Sequence, residues 1–472
     1  MKRAIMILAL IALLRVVLAL VTPVSGDEAY YWDCARNMDW SYFDQPPLVI
    51  WAVALFRPIM GNTSLALRFL PILAAFLSGY LLLLLSLRLS GTVRYGLTAY
   101  LVLQLTPLFF FGSFYLSTDS ALIPCWLWAL YALVRILRGD PRFWIHFGLA
   151  TGLGFLAKFP IVLILPLAFL IPRKFWNSVY VFHGAAFSLL LTAPVWIWAG
   201  HHHFNNIAFQ LVGRHEGASA GIGHFFEFWA AQLLLLGPVL PVLAVGRIVR
   251  LWRSWWEEPC RRIVFLAGFI PIAFFGLVAF RDHAGAHWIA PGFFPLALLI
   301  TLDRPLTKRQ VVGSLIPACL IILLAMVPVF APGLLARTHS IPSKIAGNFF
   351  GYQRLADRLK QEPPEVLTAS TSYSLVSLAG YRSGGSLSPL LIRSRGGRHG
   401  LSYLYWQEHL NLAGKDVLFY STRDDIIKYA SEICERTDPP EYLDIVTGGR
   451  TVRQFILVRG YDIQNVEPFL PE

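Results

Sequence analysis

The sequence predicts an α-helical polytopic membrane protein of about eleven spans with a small C-terminal α/β domain, and three observations predict it. Of 472 residues, 56% are hydrophobic and only 14% charged, unlike a soluble chain of that length. Apolar runs near the ~20 residues that cross a hydrocarbon layer recur along most of the chain. Past Pro332 the composition changes, and charge, Gly, Ser and Asp return.

The runs fall at 4–24, 66–87, 95–112, 120–137, 177–199, 226–246, 262–280, 288–302 and 311–330. A further pair, 143–157 and 159–172, is divided by Lys158-Phe159-Pro160 and reads as two short helices. The first run has basic flanking residues but no Ala-x-Ala-like cleavage site before Gly26, so it reads as an uncleaved span. With the N-terminus in the cytoplasm, one side receives Lys2, Arg3, Arg88, Arg94, Arg135, Arg138, Arg142, Arg173, Lys174, Arg247, Arg250, Arg253, Arg261, Arg262, Arg304, Lys308 and Arg309. The other keeps Arg36, Arg57, Arg68, Lys158, Arg214 and Arg281, and this asymmetry sets the orientation. The formal charge of +12 is therefore dispersed between apolar runs; it forms no nucleic-acid-binding stripe. The five cysteines show neither metal-ligand spacing nor a disulfide framework.

In this topology the unusual residues gather on the non-cytoplasmic side. The external loop 25–62 carries Asp27 and Glu28 just beyond the first span, where ionised carboxylates need a partner or a task. The plainer reading is a helix start, with Ser25 as cap and both acids complementing the dipole. Further on come Tyr30, Trp40, Tyr42, Phe43, Asp44 and the rigid Pro46-Pro47, a pattern that suits a loop held at a membrane surface and aromatic faces for sugar rings. Leu48 to Met60 reads as an interfacial helix. Asp119 lies where one span gives way to the next, and Lys158 interrupts an apolar region. Arg281, Asp282, His283 and His287 gather at one membrane edge. Carboxylates at Asp27 and Asp119 can handle an acceptor hydroxyl or amine, while Lys158, Arg281, Arg57 and Arg68 can hold a phosphate. Three consecutive histidines, His201 to His203, cannot all face one ion, so no metal site is assigned there. In the tail, Tyr352–Lys360 and Asp424–Cys434 read as helices and Glu365–Ala369 and Asp416–Tyr420 as strands. Tyr442–Val446 and Val452–Val458 read as a hairpin turning at Gly448-Gly449.

Four segments, GDEAYYWDCARNMDWSYFDQPPLVIW, STDSALIPCWLWALYAL, GLGFLAKFP and HWIAPGFFPLALL, resemble in order the integral-membrane glycosyltransferases of the GT-C superfamily. The resemblance is to the bacterial branch related to protein O-mannosyltransferases and lipid A aminoarabinose transferases. It implies a GT-C module over 1–332 and a periplasmic α/β domain over 333–472 of a multi-pass protein in the bacterial inner membrane. It further implies inverting transfer of a sugar from a polyprenyl-phosphate donor to a glycolipid or glycan acceptor, with the active site facing the periplasm. By the same resemblance Asp27 is the catalytic acidic residue, acting as general base or orienting the acceptor nucleophile, Glu28 a positioning residue and Asp119 a second acidic position of the catalytic set. Lys158 and the Arg281–Trp288 segment, with His283 and His287, match regions that hold the donor phosphate and lipid; on residue type alone Arg57 and Arg68 join them, and Tyr30, Tyr42, Asp44, Pro46 and Pro47 form a substrate loop. Many relatives carry His where this chain has Gln45, so a role for that imidazole does not transfer. A glycosyl phosphate brings its own leaving group, so no nucleotide site is needed, and neither a P-loop nor a strand-borne GxGxxG is present. No cofactor is indicated and a divalent ion is left open. A lipid or sugar transporter or flippase would also be polytopic with broken helices, and a membrane-anchored scaffold would place its information in the tail.

Overall fold

The computed structural model describes residues 1–211, 222–303, 307–330, 349–393 and 399–471. The expected boundary at 332/333, and Arg214 and Arg304 of the charge asymmetry, lie outside the described residues. The chain divides into two compact units. The first comprises Met1–Val21, Gln45–Ala52 and Arg68–Leu324; the second comprises Thr22–Asp44, Val53–Leu67 and Ala325–Glu472. The loop after the first span thus groups with the C-terminal region.

Among the described residues six helices are long and apolar enough to cross a membrane: Lys2–Val21, Ser64–Ser90, Thr118–Leu137, Val179–His201, Pro259–Val278 and Lys308–Phe330. Four shorter apolar helices, Leu48–Met60, Phe143–Ala157, Phe159–Leu170 and Ala286–Leu302, accompany them. The expected single span 226–246 is instead two helices, Ile222–Leu235 and Val239–Glu257, bent by 108°. Gly237 at the bend has φ of +77°, which a glycine adopts freely, and Pro238 starts the next helix. The run 95–112 is likewise broken, into Arg94–Gln104 and Pro107–Gly112, because Pro107 lacks the N–H that would continue the ladder.

In the first unit the helix Thr118–Leu137 runs through the core, burying Trp126, Leu127, Leu130 and Leu133 among Phe294, Leu298 and Trp255. The indole of Trp126 donates to the Ala267 carbonyl at 3.2 Å. Phe143–Ala157 and Val179–His201 pack backbone to backbone, since a Cβ on Gly148 or Gly184 would strike the opposing main chain. Two buried arginines serve as internal ties. Arg15 donates to the Gln104 carbonyl at 3.3 Å and lies 4.2 Å over the Phe110 ring, bridging the break at Leu105-Thr106. Arg68 donates to the Ala19 carbonyl at 2.8 Å and lies 4.5 Å over Tyr115.

The second unit is built on a six-stranded sheet of β1 (Leu367–Ser370), β2 (Leu390–Leu391), β3 (Val417–Ser421), β4 (Cys434–Thr437), β5 (Glu441–Thr447) and β6 (Arg450–Ile463). Its order is β2-β1-β3-β6-β4, with β5 paired to β6. β1 is parallel to both neighbours, so the chain crosses from β1 to β2 through the helix Tyr373–Arg382. The β5/β6 turn pairs Thr447 with Arg450 across Gly448 and Gly449, both with positive φ, the two-residue turn that the sequence signals. Ala369, Val417, Phe419, Ile426, Ala430, Ile456 and Val458 fill the core between sheet and helix Asp425–Ile433. The helix expected to reach Cys434 stops at Ile433, and Cys434 opens β4.

Candidate functional site

In the first unit the structure brings together Asp119, Lys158 and His287, residues 39 and more positions apart. Ser117 is extended and caps the helix Thr118–Leu137 by accepting from the Ser120 amide at 3.3 Å, which sets Asp119 in the first turn where the helix dipole favours an anion. Lys158 occupies the break that Pro160 imposes, extended at φ −165° between the helix Phe143–Ala157 and the 3-10 helix Phe159–Leu170. Its Nζ donates to Asp119 Oδ2 at 2.6 Å, both side chains largely buried. Nζ also lies 5.7 Å from the centre of the Trp288 ring. His287 rides on the 3-10 turn Ala286–Ile289, with Nε2 3.5 Å from the same Asp119 oxygen. Gln232 fixes that turn by donating to the Ala286 carbonyl at 2.9 Å. The other carboxylate oxygen, Asp119 Oδ1, is buried with no hydrogen-bond partner among the described residues. An ammonium with two donors to spare, beside a carboxylate with a free oxygen, is a constellation that can receive an oxyanion and a neighbouring hydroxyl.

The other sequence candidates of this unit are placed as follows. Pro46 and Pro47 are buried, and the Pro47 carbonyl accepts from Trp51 in the first turn of Leu48–Met60. Arg68 is buried and makes the contacts with Ala19 and Tyr115 described above. Arg281 is exposed just past the helix Pro259–Val278. His283 faces Glu227 at 4.0 Å, and His224 reaches the same carboxylate at 3.9 Å, a grouping absent from the sequence reading.

In the second unit Ser25 and Glu28 form a reciprocal capping box: the Ser25 amide donates to Glu28 Oε2 at 3.0 Å, and the Glu28 amide donates to Ser25 Oγ at 3.4 Å. Glu28 is fully buried in this role, while Asp27 on the same turn is exposed. The Tyr373 hydroxyl donates to Asp27 Oδ1 at 2.6 Å. Burial, and then the Asp27 charge, push the Tyr373 phenol far up, so it remains a protonated donor. The helix Gly26–Cys34 can approach the helix Tyr373–Arg382 because residue 26 is glycine: a Cβ there would stand 2.7 Å from the Ser374 side chain. Tyr30 and Asp44 are joined to the tail as well as to each other. The Tyr30 hydroxyl donates to Asp44 Oδ1 at 2.9 Å, the Gly400 amide donates to Oδ2 at 2.8 Å, and Ser402 Oγ donates to Oδ1 at 3.3 Å. Tyr42 is buried, its hydroxyl donating to the Cys34 carbonyl at 3.1 Å. Phe43 stacks on Tyr405 and Tyr42 meets Trp406 edge-on, whereas Trp40 stays exposed. Arg57 stands half-buried in the last turn of Leu48–Met60, where a cation complements the helix end. Sequence reasoning missed Tyr373, Ser402 and Tyr403; the aromatic run Tyr403-Leu404-Tyr405-Trp406 was the available signal.

Asp33 supplies a titratable contact in this unit. Its Oδ2 accepts from the Tyr403 hydroxyl at 2.6 Å and its Oδ1 from Arg36 at 3.1 Å, yet burial pushes the carboxyl up from 3.8 to about 6. A raised acid stabilises most when protonated. Its contribution is full below pH 3.8 and is lost as pH rises through about 6. The stability of the parent relative to Asp33→Asn should accordingly fall by about 2–3 kcal/mol across that interval and stay level above it, as melting curves at stepped pH will measure.

Comparison with known proteins adds to this geometry. A family model described as dolichyl-phosphate-mannose-protein mannosyltransferase matches residues 44–198. The chain is 28% identical over 318 residues to the undecaprenyl phosphate-alpha-4-amino-4-deoxy-L-arabinose arabinosyl transferase 1 of Sodalis glossinidius, covering 60% of this chain and 56% of that one. It is 24% identical over 250 residues to the lipid A galacturonosyltransferase RgtD of Rhizobium johnstonii, covering 51% and 52%. The chain thus spans little more than half the length of the curated relatives it matches. In fold it is similar to ArnT from Cupriavidus metallidurans, solved bound to undecaprenyl phosphate, with a TM-score of 0.66 at 14% identity over 99% of both chains. The apo form of that protein superposes with the same score at 15% identity, over 96% of this chain and 97% of that one. The chain is thus similar in fold to an integral-membrane aminoarabinose transferase and, over residues 44–198, matches a family model of protein mannosyltransferases.

Proposed function

We propose that the chain transfers a sugar from a polyprenyl-phosphate donor to lipid A or another envelope glycan, with inversion, on the periplasmic face of the bacterial inner membrane. The observation that carries this reading is the Asp119–Lys158–His287 cluster, with its buried, half-satisfied carboxylate beside an ammonium at a broken apolar segment. In the step proposed, the bond from the anomeric carbon to the phosphate oxygen breaks and the polyprenyl phosphate leaves with the electron pair. The acceptor oxygen or nitrogen bonds to that carbon from the opposite face and gives its proton to a carboxylate. Lys158 carries the developing phosphate charge; a cation already held where negative charge builds up on a leaving group lowers the barrier strongly, because it needs no reorganisation as the bond breaks. His287 and Arg281 are the further candidates for phosphate contact, together with Arg57, Arg68 and His283. Asp27 is the proposed base, exposed to an acceptor and held in one orientation by Tyr373. Glu28 acts by shaping the turn that carries Asp27, and Tyr30, Tyr42 and Asp44 by holding the loop. Residues 1–332 are the proposed transferase module and 333–472 a periplasmic domain. Undecaprenyl phosphate as carrier is supported by the names of the arabinosyl transferase relatives, and lipid A as acceptor by that of the galacturonosyltransferase.

The test is reconstitution in proteoliposomes with a radiolabelled undecaprenyl-phosphate sugar and lipid A. A labelled acceptor, absent with Lys158→Ala, is the expected result. Labelled lipid that crosses the bilayer without any product would overturn the reading in favour of a flippase.

A further inference from the structure

We propose that His224, Glu227 and His283 form a site for one zinc-class divalent cation, which ties the 281–287 loop to the helix Ile222–Leu235. The inference goes beyond the transferase reading and does not depend on it. His224 and Glu227 are three positions apart on the first turns of that helix and so share a face, while His283 comes from the loop. Glu227 Oε2 lies 3.9 Å from His224 Nδ1 and 4.0 Å from His283 Nδ1, and one ligand atom from each residue falls within 4.8 Å of the other two. Ligands on a tetrahedral zinc ion stand about 3.3 Å apart, as bond lengths near 2.0–2.1 Å require. All three side chains are at least partly exposed, so the proposal has them draw together around the ion by rotation.

The backbone itself is held. Phe225 and Phe280, each beside the site, stack with centroids 3.9 Å apart and planes 19° from parallel. The His283 amide donates to Asp282 Oδ1 at 2.6 Å, fixing the loop where the ligand leaves it. The two imidazole rings meet at 80°, centroids 6.0 Å apart. Two imidazoles with one carboxylate select a borderline ion such as Zn²⁺ or Co²⁺ over Mg²⁺ or Ca²⁺, which prefer all-oxygen shells. Side-chain exposures of 37%, 65% and 66% leave the ion reachable from solvent and a fourth position open. His287 lies four residues along the same loop, so metal binding would also restrain the element that presents His287 to Asp119.

The test uses the full chain, purified without a histidine tag, stripped with a chelator and titrated at neutral pH with Zn²⁺ against a chromophoric competitor. One equivalent bound at least 100-fold more tightly than by His224→Ala/His283→Ala is expected. The Co²⁺ form should show the visible bands of a tetrahedral ion, and the double variant should lose them. Equal affinity in parent and double variant, or an unchanged Co²⁺ spectrum, would overturn the site. Parent and variant share the His201–His203 run, so its contribution cancels. Should the double variant fail to fold, Glu227→Gln carries the test, with a tenfold loss supporting the site and none refuting it.

Discussion

Asp27→Asn should lower the turnover of sugar transfer by about 10²–10⁴-fold while leaving the affinity for the lipid-linked donor within a factor of about two. The substitution keeps the shape of the side chain and the oxygen that accepts from Tyr373, so the helix start survives. What it removes is the ability to take a proton. If Asp27 served only to complement the dipole of the helix Gly26–Cys34, as its place in the first turn also permits, the loss would be about 0.3–1 kcal/mol of local stability with turnover unchanged. The two roles thus differ by orders of magnitude in one number. Tyr373→Phe adds a second check: losing one hydrogen bond to a charged group should cut turnover about tenfold. Combining Asp27→Asn with Lys158→Ala asks whether both residues serve the same chemical step. Groups that act as a unit show strongly non-additive losses.

The sequence was legible where a local rule decided the outcome. Pro160 makes the break at Lys158 predictable, Gly448-Gly449 makes the hairpin predictable, and long apolar runs make the principal helices predictable. It was less legible where a local rule competed with hydropathy. Gly237-Pro238 sits inside a continuous apolar run, and apolarity does not say that a positive φ will turn the chain by 108°. Pairings across long separations were not legible at all. Nothing local says that the Asp119 carboxylate meets Lys158, or that Asp44 accepts from the Gly400 amide 356 positions away. The tail's contribution was not legible because it consists of hydroxyls and aromatic faces, at Tyr373, Ser402 and Tyr403, which carry no charge signature. Several residues of the loop read as substrate-facing have their polar atoms engaged within their own unit: the hydroxyls of Tyr30 and Tyr42 and both oxygens of Asp44 bond to protein. Among the loop's acids, Asp27 keeps the exposure that a catalytic reading needs.

Lys158→Met is the second substitution with a large expected effect, and it separates structure from chemistry when paired with Asp119→Leu. Removing the ammonium alone leaves the Asp119 carboxylate buried, with one oxygen lacking a partner among the described residues and the other losing its 2.6 Å donor. Breaking such a pair from one side costs about 3 kcal/mol or more, because an uncompensated charge stays out of water. Replacing both members by apolar side chains removes that penalty, and stability should return to within about 1 kcal/mol of the parent. A purely structural pair would then regain transfer in the double variant along with the fold. Under the proposed chemistry it does not. The Lys158 contact to a phosphate oxyanion, worth about 1.5–3 kcal/mol as a charge-assisted hydrogen bond, is absent from both variants, so affinity for undecaprenyl phosphate should stay about 10–100-fold weaker even where the melting temperature has recovered. His287 sharpens the comparison, since its Nε2 faces the same Asp119 oxygen from the opposite element. In the Lys158→Met variant His287 is the group left facing that carboxylate, so the additional change His287→Ala should lower stability further, and donor affinity should not follow it. Melting temperature and donor affinity moving together across these variants would mark the cluster as a structural brace and remove the transferase reading's main support.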